Sequence, residues 1–160
     1  MRVEARLKEL GLVLPEPIPI PPGMQIPFVW VRVWGNRAFT AAHSPQKPNG
    51  SIAAPLGKVG AEVTAEQAYE AAALCALSML GSLKRELGDL DRVTAWLSVL
   101  GMVNVAPGFN HIGPVMNGFS DVILEVYGPD VGRHVRAAMG VAELPFDIPV
   151  AIQAELEIEV

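Results

Sequence analysis

The sequence of 160 residues predicts an α+β fold in which two long helices cover one face of a mixed β-sheet. The first long helix is marked by a capping box at Thr64 and Gln67 and by a stop signal at Gly88. Residues 150–160 alternate between apolar and polar side chains, which is typical of a strand with one buried face. The long helices and the sheet strands together follow the order ββ-α-β-α-ββ, a mixture that indicates an α+β architecture.

The first 26 residues are predicted to precede the main domain as a short helix and a proline-rich arm. Val3, Leu7 and Leu10 recur at helical spacing. Residues 14–23 are so rich in proline that neither a helix nor a central strand is expected there. Residues 27–160 are predicted to form the domain itself.

Local residue preferences predict the remaining elements. Residues 28–34 are β-branched and aromatic, and Gly35-Asn36 predicts a tight turn into a second strand at 37–42. Residues 44–62 are rich in Pro and Gly, so a long loop is expected. Apolar runs then predict a strand at 93–103, a helix at 114–127 and a short strand at 136–141.

Composition and charge exclude several classes of protein. Hydrophobic residues make up 51% of the chain and charged residues 18%, which excludes disorder and suggests a surface partly buried against copies of itself. The formal net charge of −5 disfavours nucleic acid as a partner. The single cysteine, Cys75, excludes an internal disulfide and indicates a reducing compartment. The longest apolar stretch, 71–80, is too short to span a bilayer, so we expect a cytoplasmic protein with no membrane partner.

Residue patterns with recognisable chemistry are few. The sequence contains no glycine-rich phosphate loop, no cysteine pair and no HExxH motif. Its histidines, His43, His111 and His134, are scattered, which disfavours a metal site. Cys75 lies among Ala and Leu, so we expect a small core residue rather than a nucleophile.

Charged side chains on the last two predicted strands are further candidates. Arg136 begins a strand among small apolar neighbours, where an unpaired guanidinium would be costly. It needs either a structural carboxylate, which the pattern slightly favours, or an anionic ligand that it binds with two hydrogen bonds. The row of Glu155, Glu157 and Glu159 is interpreted as a solvated face that blocks pairing at a sheet edge.

Motifs within residues 27–160 resemble the RidA/YjgF family, also called the endoribonuclease L-PSP family. They lie in the first hairpin, after the first long helix, in the second long helix and at the last two strands. The motifs are Pro27-Phe28-Val29, Gly35-Asn36, Phe39-Thr40, Gly88-Asp-Leu-Asp-Arg-Val93, Asn117 and Arg136-Ala-Ala-Met-Gly-Val-Ala-Glu-Leu-Pro145. The N-terminal helix, the arm and the long loop before Thr64 resemble a longer subgroup of this family.

This resemblance implies a chorismate-mutase-like fold and a homotrimer with a site in each cleft between subunits. It also implies hydrolysis of reactive 2-imino or enamino acids to 2-oxo acids and ammonia, with no metal or cofactor. By the same resemblance Arg136 binds the substrate carboxylate, the backbone carbonyl of Ala138 helps hold the attacking water, and Asn117 corresponds to the family's helix asparagine.

The sequence departs from the family pattern around the implied pocket. Phe28 stands where typical members carry a phenol, and Ala151 stands where they carry a glutamate that positions water. Ala41 begins the Ala-Ala-His segment that replaces Ser-Gly-Gln. By this alignment His43 is the only titratable group near the site that could replace the lost groups, so its catalytic role is a hypothesis. The more apolar pocket suits a bulkier or less polar substrate.

Three functions are therefore considered. An imine or enamine deaminase that depends on Arg136 ranks first. A non-catalytic trimer that binds a small carboxylate metabolite follows closely, because the missing phenol and glutamate favour it. An endoribonuclease ranks third because the chain is acidic. A chorismate mutase activity would rest on analogy of fold alone.

Overall fold

A computed structural model describes residues 2–160. Two 3₁₀ turns, Leu90–Arg92 and Pro145–Asp147, connect its longer elements. The elements in chain order are α1 (Arg2–Glu9), β1 (Val31–Trp34), β2 (Arg37–Thr40), α2 (Ala65–Leu87), β3 (Val93–Asn104), α3 (Ile112–Gly132), β4 (Val135–Val141) and β5 (Val150–Ile158).

The five strands form one mixed sheet in the order β1-β2-β5-β3-β4. Only the β3–β4 pair is parallel, since α3 connects these two strands as a crossover. β1 and β4 lie at the two edges of the sheet. The mixed sheet and its two long helices confirm the α+β prediction.

The helices cover one face of the sheet and enclose the core. Trp96 of β3 packs edge-on against Phe119 and Tyr127 of α3, with ring centroids 6.0 and 5.7 Å apart. The two long helices approach closely at Gly118, where a Cβ would lie 2.0 Å from the carbonyl oxygen of Tyr69. Cys75 is fully buried in this core, as predicted, and burial raises the pKa of its thiol.

Sequence patterns located the long helices well. The Thr64 hydroxyl accepts from the amide of Gln67, whose side chain accepts from the Thr64 amide, so the capping box is confirmed. The helix predicted at 114–127 begins earlier, at Ile112, and its helical dihedrals break at Gly128, where φ is 79°. The first strand is shorter than predicted and begins at Val31.

The prediction that Glu155, Glu157 and Glu159 block strand pairing at a sheet edge is wrong. β5 pairs with β2 on one side and with β3 on the other, so it is an interior strand. Glu155 forms an ion pair with Arg37 of β2, and Glu157 accepts a hydrogen bond of 2.7 Å from the Thr94 hydroxyl of β3. The row therefore makes cross-strand contacts on the face that the helices leave open.

The N-terminal segment packs against the rest of the chain. Val3 and Leu7 of α1 are buried in the same core as the long helices. The arm is held by the Arg85 guanidinium, which donates to the Pro15 carbonyl over 3.1 Å, and by the Glu16 amide, which donates to the Pro48 carbonyl. No helix among residues 2–160 is long and apolar enough to cross a bilayer.

Candidate functional site

Arg136 lies near the start of the edge strand β4, and its side chain extends over α3. Its Nη1 donates to Asn117 Oδ1 and to Ser120 Oγ, both at 3.0 Å, and its Nη2 donates to the Gly113 carbonyl over 3.4 Å. Gly113, Asn117 and Ser120 are spaced by four and three residues and so share one face of the helix. All three acceptors are uncharged.

The guanidinium of Arg136 therefore keeps its charge and part of its donor capacity. A guanidinium has five N–H groups, and three of them donate to Asn117, Ser120 and Gly113, which leaves two. These two are Nε–H and one Nη2–H. Among the described residues, no carboxylate forms an ion pair with Arg136. The structural carboxylate partner of Arg136 that the sequence pattern slightly favoured is therefore not found among the described residues.

Ser120 and His134 fix the position of this guanidinium. His134 Nδ1 lies 2.7 Å from the Gly132 carbonyl, which can only accept, so Nδ1 carries the proton. In the neutral ring, Nε2 then accepts from the Ser120 hydroxyl at 2.9 Å. The lone pairs of Ser120 Oγ are left to accept from Arg136. One chain of hydrogen bonds thus runs from the backbone through His134 and Ser120 to Arg136.

The backbone of β4 offers polar groups at the open edge. The Val105 amide donates to the Val141 carbonyl over 3.2 Å, so the Val141 carbonyl points towards β3. Carbonyl directions alternate along a strand, and Ala138 lies three residues before Val141. Its carbonyl therefore points away from β3, out of the sheet, two residues along the strand from Arg136.

His43 lies far from Arg136 within one chain. It forms a bridge with Ile152 of β5, and both β5 and β3 lie between it and β4. Its side chain is only 2% exposed, with Nδ1 2.7 Å from the Ala41 carbonyl and Nε2 2.9 Å from Ser82 Oγ. Burial lowers the pKa of His43 from 6.5 to about 4, an effect that the Ala41 carbonyl opposes and Arg85 reinforces.

The other predicted pocket residues are also distant from Arg136 in a single chain. Phe28 is exposed before β1 and packs edge-on against Trp30, with centroids 5.3 Å apart. Ala41 follows β2, and its amide donates to the Trp30 carbonyl. Ala151 is buried on β5. The structure brings Asn117 to Arg136 directly. It leaves Ala151 on the central strand β5, and Phe28 and Ala41 near the edge formed by β1 and β2.

Sequence reasoning missed Ser120 and His134 as partners of Arg136. A signal was available for each. Asn117 and Ser120 are three residues apart in a predicted helix, and His134 and Arg136 are two apart at a predicted strand, so each pair shares one face. The pattern does not reveal which helix face meets which strand face, because the parallel crossover determines that.

One acidic group of the described residues has the composition of a metal site. Carboxylate oxygens of Glu4, Asp89 and Asp91 lie within 4.8 Å of one another. Glu4 Oε1 accepts from Lys84 Nζ over 2.6 Å, and Asp91 accepts from the amides of Arg2 and Val3. The group joins α1 to the turn after α2.

Comparison with known proteins agrees with the fold and the motifs. A model of the YjgF/chorismate-mutase-like, putative endoribonuclease family matches residues 4–154. Protein TCP17 of Trypanosoma cruzi is 36% identical over 157 residues, which span 98% of this chain and 94% of that protein.

Solved structures extend the comparison. Atu1372 from Agrobacterium tumefaciens is 37% identical with a TM-score of 0.86, and the match covers 98% of this chain and 94% of that one. A protein from Shewanella oneidensis described as a putative endoribonuclease is 27% identical with a TM-score of 0.86, and the match covers 98% of this chain and 99% of that one. The chain therefore belongs to the YjgF/chorismate-mutase-like family.

Proposed function

We propose that this protein hydrolyses reactive 2-imino or enamino acids to 2-oxo acids and ammonia. The observation that supports this most directly is Arg136, whose guanidinium is positioned by uncharged groups and keeps Nε–H and one Nη2–H free of protein acceptors among the described residues. Nε and Nη2 can bind both oxygens of a carboxylate. The site therefore suits a small substrate with a carboxylate next to the reacting carbon.

In the proposed reaction, Arg136 binds the substrate carboxylate and draws electron density from the adjacent imine carbon. The outward carbonyl of Ala138 accepts a hydrogen bond from the attacking water or from the imine N–H. Water adds to the imine carbon, and the tetrahedral product loses ammonia to give the 2-oxo acid. Imines hydrolyse readily, so orientation of substrate and water can supply much of the acceleration.

His43 has no part in this scheme. Its ring nitrogens contact Ala41 and Ser82, and its side chain is buried on the helix-covered side of the sheet. The geometry gives no support to the proton-transfer role that the sequence suggested. In this proposal Phe28 and Ala151 of a neighbouring subunit shape the pocket.

We further propose that the active protein is a cytoplasmic homotrimer with its sites between subunits. The edge strand β4 exposes Met139 and Val135 in one chain, and Trp34 and Phe39 are exposed on β1 and β2. Exposed apolar side chains on a sheet are typical of an interface. TdcF of Escherichia coli, which has the same fold and is 18% identical to this chain, was solved with bound serine.

Enzyme assays on the purified protein test this function. An amino-acid oxidase generates imines in the cuvette, and the protein should accelerate their decay. Arg136→Gln should reduce the accelerated rate at least about tenfold, because a charge-assisted hydrogen bond contributes about 1.5–3 kcal/mol. Lys8→Gln makes the same change of charge at an exposed position of α1 and should leave the rate unchanged. Equal rates for Arg136→Gln and the unmodified protein would refute the proposal.

A non-catalytic carboxylate-binding role uses the same arginine. It is favoured by Phe28 and Ala151, which supply no hydroxyl or carboxylate to handle water. Binding of 2-oxo acids that requires Arg136, with no acceleration of any imine, would establish this alternative. Cleavage of RNA by the purified protein would instead support the activity in the family's description.

A further inference from the structure

The Arg136 site opens into a cavity that a second arginine, Arg133, also lines. This cavity of about 220 Å³ is lined by Ser120, Leu124, Arg133, His134 and Arg136. Its size is below the roughly 300–1,000 Å³ typical of sites for drug-sized ligands, so it suits a small metabolite. We call it the Arg133 pocket.

No ion pair within residues 2–160 neutralises the charge of the Arg133 pocket. Two arginines and no acidic residue line it. Ion pairs of the described residues involve Arg6, Arg37, Lys58 and Lys84, and none involves Arg133 or Arg136. Two unpaired arginines in one concave site attract an anion more strongly than either alone.

The pocket wall is rigid on one side and apolar on another. His134 is fixed by the Gly132 carbonyl and the Ser120 hydroxyl, so both of its ring nitrogens are engaged within the chain. Leu124 is exposed and contributes an aliphatic surface. An aliphatic wall together with two guanidinium groups suits a short methylene chain that ends in two negative groups.

We propose that the site binds substrates with a second carboxylate, namely dicarboxylic 2-imino or 2-oxo acids. The carboxylate beside the reacting carbon binds Arg136, and the distal carboxylate binds Arg133. This inference rests on the proposed function. The sequence predicted a bulkier or less polar substrate, whereas the two arginines favour an acidic one.

Calorimetry with two stable 2-oxo acids tests the proposal. 2-Oxoglutarate and 2-oxopentanoate have the same five-carbon chain, and only the first has a distal carboxylate. The unmodified protein should bind 2-oxoglutarate about tenfold more tightly, the lower end expected for one exposed charge-assisted contact. Arg133→Gln should remove that preference by weakening the binding of 2-oxoglutarate, and it should weaken the binding of 2-oxopentanoate far less. Arg133→Lys should keep part of the preference.

Controls separate this inference from the proposed function. Lys47→Gln removes one positive charge from the exposed loop after β2 and should leave both affinities unchanged. Equal binding of the two ligands by the unmodified protein, or an unchanged preference in Arg133→Gln, would overturn the acidic-substrate inference and leave the role of Arg136 intact. Absence of binding by both ligands would overturn the role of Arg136 and this inference together.

Discussion

Ser120 accepts a hydrogen bond of 3.0 Å from Nη1 of Arg136, and this contact links the candidate anion site to α3. The same hydroxyl lies 2.9 Å from His134 Nε2, so the Ser120 side chain orients both the His134 ring and the Arg136 guanidinium. The edge strand β4 has no second strand outside it in one chain. A guanidinium on such an edge needs contacts to the helix layer if it is to be held in a fixed orientation.

Ser120→Ala is expected to weaken carboxylate binding by about three- to tenfold. The variant keeps Arg136 and its charge but removes one of three positioning contacts, and a net hydrogen bond contributes about 1 kcal/mol. Ser78→Ala is a matched control, because Ser78 is also a buried helix serine, and its hydroxyl donates only to the carbonyls of Ser44 and Leu74. Titration with a 2-oxo acid should give a higher Kd for Ser120→Ala alone. Identical Kd values for both variants would contradict a positioning role.

The pH dependence of stability should reveal buried His43. Its pKa of about 4 in the folded chain is below the 6.5 of an exposed imidazole. Between these values the unfolded chain binds a proton that the folded chain does not, so this group destabilises the fold as pH falls from 6.5 to 4. The loss amounts to about 3 kcal/mol when the shift is converted at 1.36 kcal/mol per pKa unit.

Urea denaturation at several pH values measures this effect. Carboxylates also titrate as pH falls, so the informative quantity is the difference between the unmodified protein and His43→Gln. The variant should lose less stability than the unmodified protein between pH 6.5 and pH 4. Parallel stability curves for the two proteins would show that His43 is protonated at similar pH in the folded and unfolded chains.

The sequence predicted the elements of this fold better than their mutual placement. Local rules located α2 through Thr64, Gln67 and Gly88, and the alternation at 150–160 located β5. Neither rule states which strands are neighbours. The acidic row was consequently assigned to an edge although β5 lies between β2 and β3.

In the candidate site, too, the sequence predicted individual residues better than their mutual placement. Arg136 was found from its unusual surroundings in a strand, and Asn117 through resemblance to a family. Ser120 and His134 were missed because a hydrogen bond between α3 and β4 depends on the path of the crossover. His43 was assigned to the site by alignment, and its catalytic role stays a prediction, since the single chain shows only that its ring contacts Ser82 of α2. Sequence position alone does not determine the face on which a side chain lies.

Gly118→Ala should destabilise the protein by about 3 kcal/mol or more. A Cβ at this position would lie 2.0 Å from the Tyr69 carbonyl oxygen, so the two long helices would have to separate. Gly113→Ala in the same helix is the control, since its Cβ would meet only Arg136 Nη2 at 3.9 Å. That change should alter stability by less than about 1 kcal/mol, because Gly113 lies in the first turn of α3 before Pro114, where alanine gains little helix propensity. Thermal unfolding of both variants distinguishes a close helix contact from a general cost of losing glycine in α3.

The proposed trimer depends on the face that the helices leave open, and Met139 offers a direct test. Met139 is 44% exposed on β4, one residue after Ala138. A carboxylate introduced there would be buried without a partner if a neighbouring subunit covers this surface, and such burial is costly. Met139→Glu should therefore shift the mass measured by light scattering from three chains to one chain of 17.1 kDa.

Met24→Glu is the matched control for the assembly, because Met24 is equally an exposed methionine but lies in the proline-rich arm. This variant should keep the mass of three chains. The folded state of Met139→Glu is checked by circular dichroism, since an exposed position on an edge strand tolerates a charge in the isolated chain. A monomeric mass for the unmodified protein at micromolar concentration would contradict sites between subunits. A trimeric mass for Met139→Glu would place the interface elsewhere on the chain and leave β4 free to bind ligand without a neighbour.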